Sequence, residues 1–341
     1  MSKLTIGFIG NGKSANRYHI PFILTRPDKI TIKTIYSASP ERDIWDRLPT
    51  VEYTSNIDVL LNDPDIQLVV VSTPSSLHYT FAKQVLHAGK HCVVEKPFTE
   101  TSAEAQALFA LAKSKGLMLQ CYQNRRFDSD FLTTQKVIAS GVLGELLEVE
   151  MHYDYYRPHV PESVHEHYAM NSYLYGHGCH TLDQVISFFG KPDSVHYDVR
   201  QLLGSGRMND YFDVDLYYGV LKVSVKSSYY RIKDRPSFVV YGKKGMFVKY
   251  RKDKQEEHLK LFYLPGSPDF GTDTPDDYGV LTRIDDNGTW HEEKVVSEQG
   301  DYARYYDALY ETLINGHEKL VTDEQTLLQI RMLEEGVRGL K

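Results

Sequence analysis

The chain has 341 residues, 41% of them hydrophobic, which suffices to bury the core of one large domain or of two ordinary ones. Its net charge of −7, with acidic and basic residues interspersed, argues against nucleic acid or an anionic membrane as the main partner. No apolar run approaches the about 20 residues of a membrane span, no secretory signal pattern opens the chain, and the widely spaced cysteines are typical of reduced thiols, so we expect a cytoplasmic protein.

The first third of the chain alternates short apolar runs with helical patterns. Strands are predicted at 4–9, 30–36, 68–71, 91–95 and 117–122, with helices from near Ser14 and at 57–61, 78–88 and 102–115. The run 68–71 shows no alternation, which is typical of a strand buried on both faces of a parallel sheet. Strands that alternate with helices predict an α/β, doubly wound parallel sheet, so residues 1–122 are predicted to form a Rossmann dinucleotide-binding domain.

The pattern changes after Asn124. Helices are predicted at 131–140, 302–314 and 323–338, strands at 147–156, 195–201, 214–218, 221–230, 237–241 and 246–250, and a surface loop at 264–280. Most of these strands alternate apolar and polar residues, so residues 123–341 are predicted to form an α+β domain with a large open, mostly antiparallel sheet for substrate binding and oligomerisation. One face of this sheet would be rich in tyrosine and need a cover, which predicts a homodimer or homotetramer.

Directly after the first predicted strand lies a glycine-rich turn, Gly10-Asn11-Gly12-Lys13-Ser14-Ala15. Gly10, Gly12 and Ala15 fit the pattern G-x-G-x-x-G/A. The first glycine permits a tight turn, the second lets the backbone approach a pyrophosphate, and alanine allows close packing of helix on strand. Because the motif joins a predicted strand to a predicted helix, it favours a dinucleotide site that includes Lys13 and Ser14 over a turn without a ligand.

The end of the second strand bears on the choice between NAD and NADP. An acid at this point would bind the ribose 2′-hydroxyl and favour NAD, but position 37 is a serine. Ser37, Ser39 and Arg42 could instead hold a 2′-phosphate, which favours NADP. In the alternative interpretation, Arg42 only begins a solvated helix.

The apolar run 91–94 ends in Glu95-Lys96-Pro97. Oxidising a secondary alcohol requires a base at the hydroxyl and a donor that stabilises developing charge. A lysine at the end of a buried strand, in a partly closed cleft, can shuttle protons near neutral pH. The motif therefore favours a catalytic Lys96 over a surface lysine.

With both motifs present, the chain resembles the Gfo/Idh/MocA oxidoreductases, the relatives of glucose–fructose oxidoreductase and inositol dehydrogenase. The resemblance covers essentially the whole chain and is strongest to the branch with NADP-linked scyllo-inositol dehydrogenase. Further matching segments are 72–78, 88–91, 122–131 and His180-Thr181-Leu182-Asp183. The resemblance implies an NAD(P)-dependent dehydrogenase acting on a CH–OH group of a cyclic polyol or sugar, with Lys96 and His180 as the catalytic pair. Cofactor contacts are implied for Thr73, Pro74, Leu77, His78, Glu95 and Lys96.

Substrate contacts are implied for Asn124, Arg125, Arg126, Tyr155, Arg157, His177 and Asp183. The family commonly has an aspartate four residues before the histidine, where this chain has Gly176. This departure puts the usual polyol contact in doubt, and Asp183 could compensate only in part. Arg125 and Arg126 could bind an anionic substrate, or one of them could pair with Asp128 or Asp130.

Two other interpretations compete with a nicotinamide enzyme. A metal site would use the histidines at 159, 165, 167, 177 and 180. Segment 157–172 is instead predicted to be a loop over the cleft that contacts sugar hydroxyls. Hydride transfer to nicotinamide also needs no metal, so no metal site is predicted. A catalytically silent regulatory protein that binds dinucleotide or sugar would lack the lysine, whereas Lys96 is present.

Overall fold

The computed structural model describes residues 3–159, 168–204 and 207–340, without the side chain of Arg42. The chain divides into two compact units. The first comprises Met1–Asn124, His258–Pro268 and Tyr302–Ile330, and the second Arg125–Glu257, Asp269–Asp301 and Arg331–Lys341. This division differs from the single boundary predicted between residues 122 and 123, because two later segments join the first unit.

The first unit contains a six-stranded parallel sheet. Its strands are β1 (Leu4–Ile9), β2 (Ile30–Tyr36), β3 (Glu52–Thr54), β4 (Leu68–Val71), β5 (His91–Val94) and β6 (Leu119–Cys121). Their order across the sheet is β3-β2-β1-β4-β5-β6, and every residue of β4 is buried, so the predicted Rossmann sheet is confirmed. The strand order reverses between β1 and β4, and sheets of this kind bind ligands beyond the carboxyl ends of the strands at that point.

The helices of the chain lie close to their predicted positions where the sequence pattern is strong. In the described ranges the α-helices are α1 (Ile20–Ile23), α2 (Ile57–Leu61), α3 (His78–His87), α4 (Ser102–Ser114), α5 (Ser129–Ala139), α6 (Cys179–Phe189), α7 (Gln255–Lys260), α8 (Ala303–Asn315) and α9 (Asp323–Val337). Helix α4 begins at a capping box in which Thr101 and Glu104 each bond the other's backbone N–H. Its sharp start therefore follows from two polar residues.

Segment 302–330 belongs to the first unit because α8 packs there. The Asp307 carboxylate lies 3.0 Å from the Arg26 guanidinium and 2.7 Å from the Lys29 ammonium. The buried ring of Tyr302 lies 5.2 Å from the ring of Phe22, measured between centroids. Ion pairs and aromatic packing thus attach a late segment of the chain to the unit that contains the six-stranded sheet.

The second unit contains an eight-stranded sheet. Its strands are β7 (Leu146–His152), β8 (Ser194–Arg200), β9 (Tyr211–Tyr218), β10 (Leu221–Ser228), β11 (Phe238–Gly242), β12 (Gly245–Lys249), β13 (Gly279–Ile284) and β14 (Trp290–Val295). The order is β14-β13-β12-β11-β7-β10-β9-β8, with β7 and β10 parallel and the other neighbours antiparallel. The predicted large, mostly antiparallel sheet is confirmed.

Several elements differ from the prediction. Strands β3, β13 and β14 and helix α7 were not predicted, and β13 begins at the end of the predicted loop 264–280. Strand β14 is charged and largely exposed, so it lacks the alternation that marks a half-buried strand. The strand predicted at 147–156 ends at His152. In the described ranges, no helix is both long and apolar enough to span a membrane.

One face of the eight-stranded sheet carries charge as well as tyrosine. Glu148 lies 2.5 Å from Lys222, and Lys226 lies 3.5 Å from Asp213. A cross-strand row pairs Tyr217 with Lys222, Lys222 with Glu148, and Glu148 with Tyr241. The tyrosine-rich face predicted from the sequence is therefore mixed, because the valines and leucines of β9 and β10 face the buried side.

Candidate active site

The glycine-rich turn lies at the carboxyl end of β1. Gly10 has a φ of +111°, and a Cβ at this position would lie 2.6 Å from the carbonyl oxygen of Ser72. Only glycine fits there, since both the backbone conformation and the neighbouring strand exclude a side chain. At Gly12 a Cβ would meet nothing within 4 Å, so the backbone borders open space. This arrangement is what a pyrophosphate needs in order to approach the main chain.

A cavity of about 320 Å³ lies beside this turn. Six of the predicted cofactor residues line it: Gly10, Gly12, Ser37, Thr73, Pro74 and Leu77. The Thr73 hydroxyl oxygen is buried and has no hydrogen-bond partner in the described part of the chain. Buried polar groups are normally paired, so this hydroxyl is suited to a ligand. The open space at Gly12 and the Thr73 hydroxyl both fit a bound dinucleotide.

The contacts of the other predicted cofactor residues stay predictions. Lys13, Ser14, Ala15, Ser39, His78, Glu95 and Lys96 are not among the described lining residues. The sequence analysis missed Asn11, Asp43, Ile44, Trp45 and Phe81, which do line the cavity. The side chain of Arg42 is outside the described part of the structure, so its predicted contact with a 2′-phosphate stays a prediction.

Asp43 supplies an acid that the sequence analysis did not find at the end of β2. Its carboxylate accepts hydrogen bonds from the Ser37 hydroxyl at 3.0 Å and from the Asn11 amide at 2.8 Å. Asp43 is six residues beyond Ser37, after the short helical turn Pro40–Arg42. It was therefore not among the residues considered at the strand end. The carboxylate nevertheless reaches the strand end, where it would attract a ribose hydroxyl and repel a 2′-phosphate.

Glu95 and Lys96 follow β5 directly. The Glu95 carboxylate is buried, and it accepts hydrogen bonds from the Lys96 N–H at 2.9 Å and from the Ser14 hydroxyl. Burial alone would raise the pKa of Glu95, but the hydrogen bond from His19 and the charge of Lys96 prevail and lower this pKa to about 2. Ser14 and Glu95 bond each other beside the half-buried Lys96, and their predicted contacts with the cofactor stay predictions.

His78 also has an internal role. Its Nδ1 lies 2.8 Å from the carbonyl oxygen of Pro97 and its Nε2 lies 3.1 Å from that of Thr73. Burial lowers the pKa of His78, so the neutral ring is favoured. A neutral ring has a single N–H, so it donates to one of these two carbonyl oxygens, that of Pro97 after β5 or that of Thr73 after β4. His78 is not among the described residues that line the cavity, and its predicted contact with the cofactor stays a prediction.

In the second unit, three of the predicted substrate residues lie together. The His177 ring centroid is 5.2 Å from that of Tyr155, and the Arg157 guanidinium lies 4.1 Å above the Tyr155 ring. Tyr173 packs on His177 as well, at 4.6 Å. His180 is buried in the first turn of α6. Aromatic faces of this kind suit the apolar faces of a sugar ring or a cyclic polyol.

The two arginines at the start of the second unit are paired with acids. Arg126 makes two hydrogen bonds of 2.7 Å to the Asp183 carboxylate, and both side chains are buried. Arg125 lies 3.4 Å from Asp128 and also bonds Glu256. These contacts favour the structural interpretation of the arginines, although Arg126 pairs with Asp183 rather than with Asp128 or Asp130. Asp183 is consequently bound to Arg126 rather than available to compensate for the missing aspartate.

The position of the missing aspartate has room for a side chain. A Cβ at Gly176 would meet nothing within 4 Å, so the absence of an acid there is not forced by packing. Asn124, another predicted substrate residue, is buried at the end of the first unit.

The structure describes only some of the histidines of the competing metal-site interpretation, since His165 and His167 lie outside the described residues. Among the residues that are described, no group of three or more histidine, cysteine, aspartate or glutamate side chains is arranged to hold a metal ion.

Comparison with known proteins assigns both halves of the chain to one oxidoreductase family. A model described as the NAD-binding Rossmann fold of that family matches residues 4–123, and one described as its C-terminal alpha/beta domain matches residues 135–339. The chain is 47% identical to the uncharacterized oxidoreductase YhhX of Escherichia coli (strain K12), over 98% of this chain and 96% of that protein. It is 34% identical to scyllo-inositol 2-dehydrogenase (NADP(+)) IolW of Bacillus subtilis (strain 168), over 99% and 94%. A crystal structure of an oxidoreductase from Bacillus cereus superposes with a TM-score of 0.91 at 44% identity, covering 98% and 95% of the two chains.

Proposed function

The chain belongs to the Gfo/Idh/MocA oxidoreductase family, and on that basis we propose that it transfers a hydride between NAD(P) and a secondary alcohol or ketone of a cyclic polyol or sugar. The observation that carries the proposal is the cavity at the point where the strand order reverses. Glu95-Lys96-Pro97 directly follows β5, and only β4 lies between β5 and β1 with its glycine turn. The name of the Bacillus subtilis relative supports an inositol-like substrate.

The residues of the chain have distinct roles in this proposal. Bound nicotinamide supplies the acceptor or donor of the hydride. The main chain at Gly10 and Gly12 would hold the pyrophosphate, and the Thr73 hydroxyl would bond the ligand that fills the cavity. In the oxidative direction the alcohol carbon gives up a hydride while Lys96 takes the hydroxyl proton. His180 would hold the same hydroxyl and stabilise its developing charge.

The experiment that tests this function is a substrate screen. Purified protein would be mixed with NADP or NAD and a panel of cyclic polyols, neutral sugars and sugar acids, while the absorbance of reduced nicotinamide is followed. Because Arg125 and Arg126 are paired with carboxylates, we expect neutral members of the panel to react faster than acidic ones. Turnover with none of the polyols or sugars would contradict the proposed substrate class.

For the cofactor, we propose a preference for NADP. Ser37 lines the cavity at the end of β2, and the Bacillus subtilis relative is named as NADP-linked. Asp43 opposes this preference, because its carboxylate accepts the hydrogen bond that Ser37 would otherwise give to a 2′-phosphate. Tighter binding of NAD than of NADP by the wild-type protein would overturn the proposal.

Asp43→Asn is expected to strengthen NADP binding relative to NAD by ~10–100-fold, because the substitution removes a negative charge beside the 2′-phosphate. The asparagine keeps the size of the side chain and can still bond Ser37. Dissociation constants of both dinucleotides by calorimetry provide the measurement, and Asp46→Asn at an exposed neighbouring position is the control. An unchanged NADP-to-NAD ratio in Asp43→Asn would show that this carboxylate does not reach the ribose.

We further propose a homodimer or homotetramer formed through the mixed face of the eight-stranded sheet. Tyr217 and Tyr241 are 37% and 39% exposed there, and the pair of Lys222 and Glu148 lies between them in the same row. Tyrosine is enriched at protein–protein interfaces, although lysine and glutamate are depleted from their cores. Light scattering at micromolar concentration should therefore show a dimer or larger species, and Tyr241→Glu should shift it towards monomer.

Val220→Glu is the control for this oligomer prediction, since Val220 is 71% exposed in the turn between β9 and β10. That variant should keep the wild-type size. A wild-type protein that is monomeric under these conditions would refute the interface.

A cytoplasmic location is part of the same proposal. Cys92, Cys121 and Cys179 are all buried and form no disulfide. Burial raises the pKa of the Cys92 thiol well above its usual range, so the reactive thiolate is suppressed. Cysteines that keep their thiols are typical of proteins in a reducing compartment.

A further inference from the structure

A series of buried hydrogen bonds lies behind Lys96, within the first unit. The Nε2 atom of His19 is 2.9 Å from Oε1 of Glu95, and the Nδ1 atom of His19 is 2.5 Å from the hydroxyl of Tyr306. His19 and Tyr306 are both 0% exposed. Glu95, at one end of this series, is also the residue that accepts a hydrogen bond from the main-chain N–H of Lys96.

The direction of these hydrogen bonds follows from the groups involved. The lowered pKa of Glu95 keeps it a carboxylate, which only accepts hydrogen bonds, so Nε2 of His19 carries a proton and donates to Oε1. Burial raises the pKa of Tyr306 well above its usual value, so its hydroxyl stays protonated and bonds Nδ1 of His19. Each oxygen of the Glu95 carboxylate therefore has a donor: His19 and Ser14 on Oε1, and the Lys96 N–H on Oε2.

The orientation of the His19 ring is fixed by aromatic packing. It stacks on Tyr122 at 3.9 Å between ring centroids with an interplanar angle of 28°, and it meets Phe8 edge-on at 5.8 Å. The Tyr122 hydroxyl donates to the carbonyl oxygen of Tyr18, which also fixes the second ring of this stack. The His19 ring is held by Tyr122, by Phe8 and by the hydroxyl of Tyr306, and this keeps its Nε2 directed at one carboxylate oxygen.

A buried carboxylate costs free energy unless it is fully hydrogen-bonded. Glu95 accepts a hydrogen bond from Ser14, which lies at the start of the helical turn after the glycine-rich turn. It also accepts one from the main chain of Lys96, directly after β5. Its position therefore determines where the main chain of Lys96 lies relative to the glycine turn. A packed apolar residue would fill the same volume but would make neither contact.

We propose that His19 is a positioning residue: by holding Glu95, it fixes Lys96 relative to the phosphate-binding turn. This inference rests on the proposed catalytic role of Lys96. His19 itself contacts neither substrate nor cofactor in this proposal, and Tyr306 acts on Lys96 only through His19.

Two substitutions at one position separate the two nitrogen atoms of the imidazole. In His19→Gln the amide nitrogen can occupy the place of Nε2 and still donate to Glu95. In His19→Asn the shorter amide reaches only the place of Nδ1, so Glu95 loses its buried donor. We expect His19→Asn to lower kcat ~10–100-fold, with His19→Gln within a few-fold of wild type.

The pH dependence gives a readout that loss of packing would not produce. The folded structure holds the pKa of Glu95 down, so its carboxylate stays charged until the pH falls towards about 2. Without the His19 donor this pKa rises, so the acid limb of the kcat profile should move to higher pH in His19→Asn and not in His19→Gln. Carboxyl ¹³C NMR of Glu95 in the cofactor-free protein measures the same rise without any turnover.

Tyr306→Phe is the milder variant if His19→Asn does not fold, since it removes only the bond to Nδ1 and should shift the Glu95 titration less in the same direction. Equal losses in His19→Asn and His19→Gln with an unmoved Glu95 titration would overturn the proposal. Failure of the proposed function is distinguishable: the Glu95 titration would still shift, but Lys96→Ala would retain turnover.

Discussion

Lys96→Ala is expected to lower turnover by the ~10²–10⁴-fold that a general acid–base group contributes, while dinucleotide affinity stays close to that of the wild type. The main-chain N–H at position 96 remains in the variant, so its bond to Glu95 and the hydrogen bonds of Ser14 and His19 are retained. Only the side chain beyond Cβ is lost, including the amino group that exchanges the proton. Single-turnover hydride transfer, with a substrate found by the screen, measures the chemical step apart from product release.

Lys113→Ala is the matched control, because Lys113 is an exposed lysine on α4 of the same unit. It should behave as wild type in the single-turnover experiment. If Lys96 and His180 act as one unit, the double variant with His180→Ala should be only slightly slower than Lys96→Ala. Single-turnover rates near wild type in Lys96→Ala would place the chemistry at another residue.

The parts of this molecule that sequence reasoning found are those with a local signal. The continuous apolar run 68–71 became the buried strand β4, and the glycine turn lies directly after β1 as its motif required. Gly10 shows why such a motif is reliable: its positive φ and the carbonyl of Ser72 leave no other residue type at that point. Backbone geometry of this kind is determined by a few adjacent residues, so a short motif can predict it.

What sequence reasoning missed depends on contacts between distant residues. His19 and Tyr306 are separated by 287 positions, and no periodicity relates them. Asp43 reaches the cavity through a short turn whose path the strand pattern does not specify. Ser14, His78 and Glu95 were placed near the right strand ends, but their partners are other residues of the protein. Residue type and position were predictable there, whereas the hydrogen-bond partner required the packed structure.

Gly12→Ala tests the dinucleotide site separately from the chemistry. A Cβ at Gly12 meets nothing within 4 Å of the protein, so the variant should fold with wild-type stability or slightly more. The added methyl group would lie where the pyrophosphate approaches the main chain, so the dissociation constant of the dinucleotide should rise ~100-fold, equivalent to about 2.7 kcal/mol. Thermal unfolding and calorimetric titration of the same preparation measure the two effects.

Gly10→Ala is the contrasting variant on the same turn. Its Cβ would lie 2.6 Å from the Ser72 carbonyl oxygen at a φ of +111°, so stability should fall by about 1–3 kcal/mol even without a ligand. The two glycines therefore separate the two requirements of the turn: Gly10 permits the fold, and Gly12 leaves the space that the ligand needs. Wild-type dinucleotide affinity in a stable Gly12→Ala protein would mean that the pyrophosphate does not bind at this turn, and the proposed orientation of the cofactor towards Lys96 would be wrong.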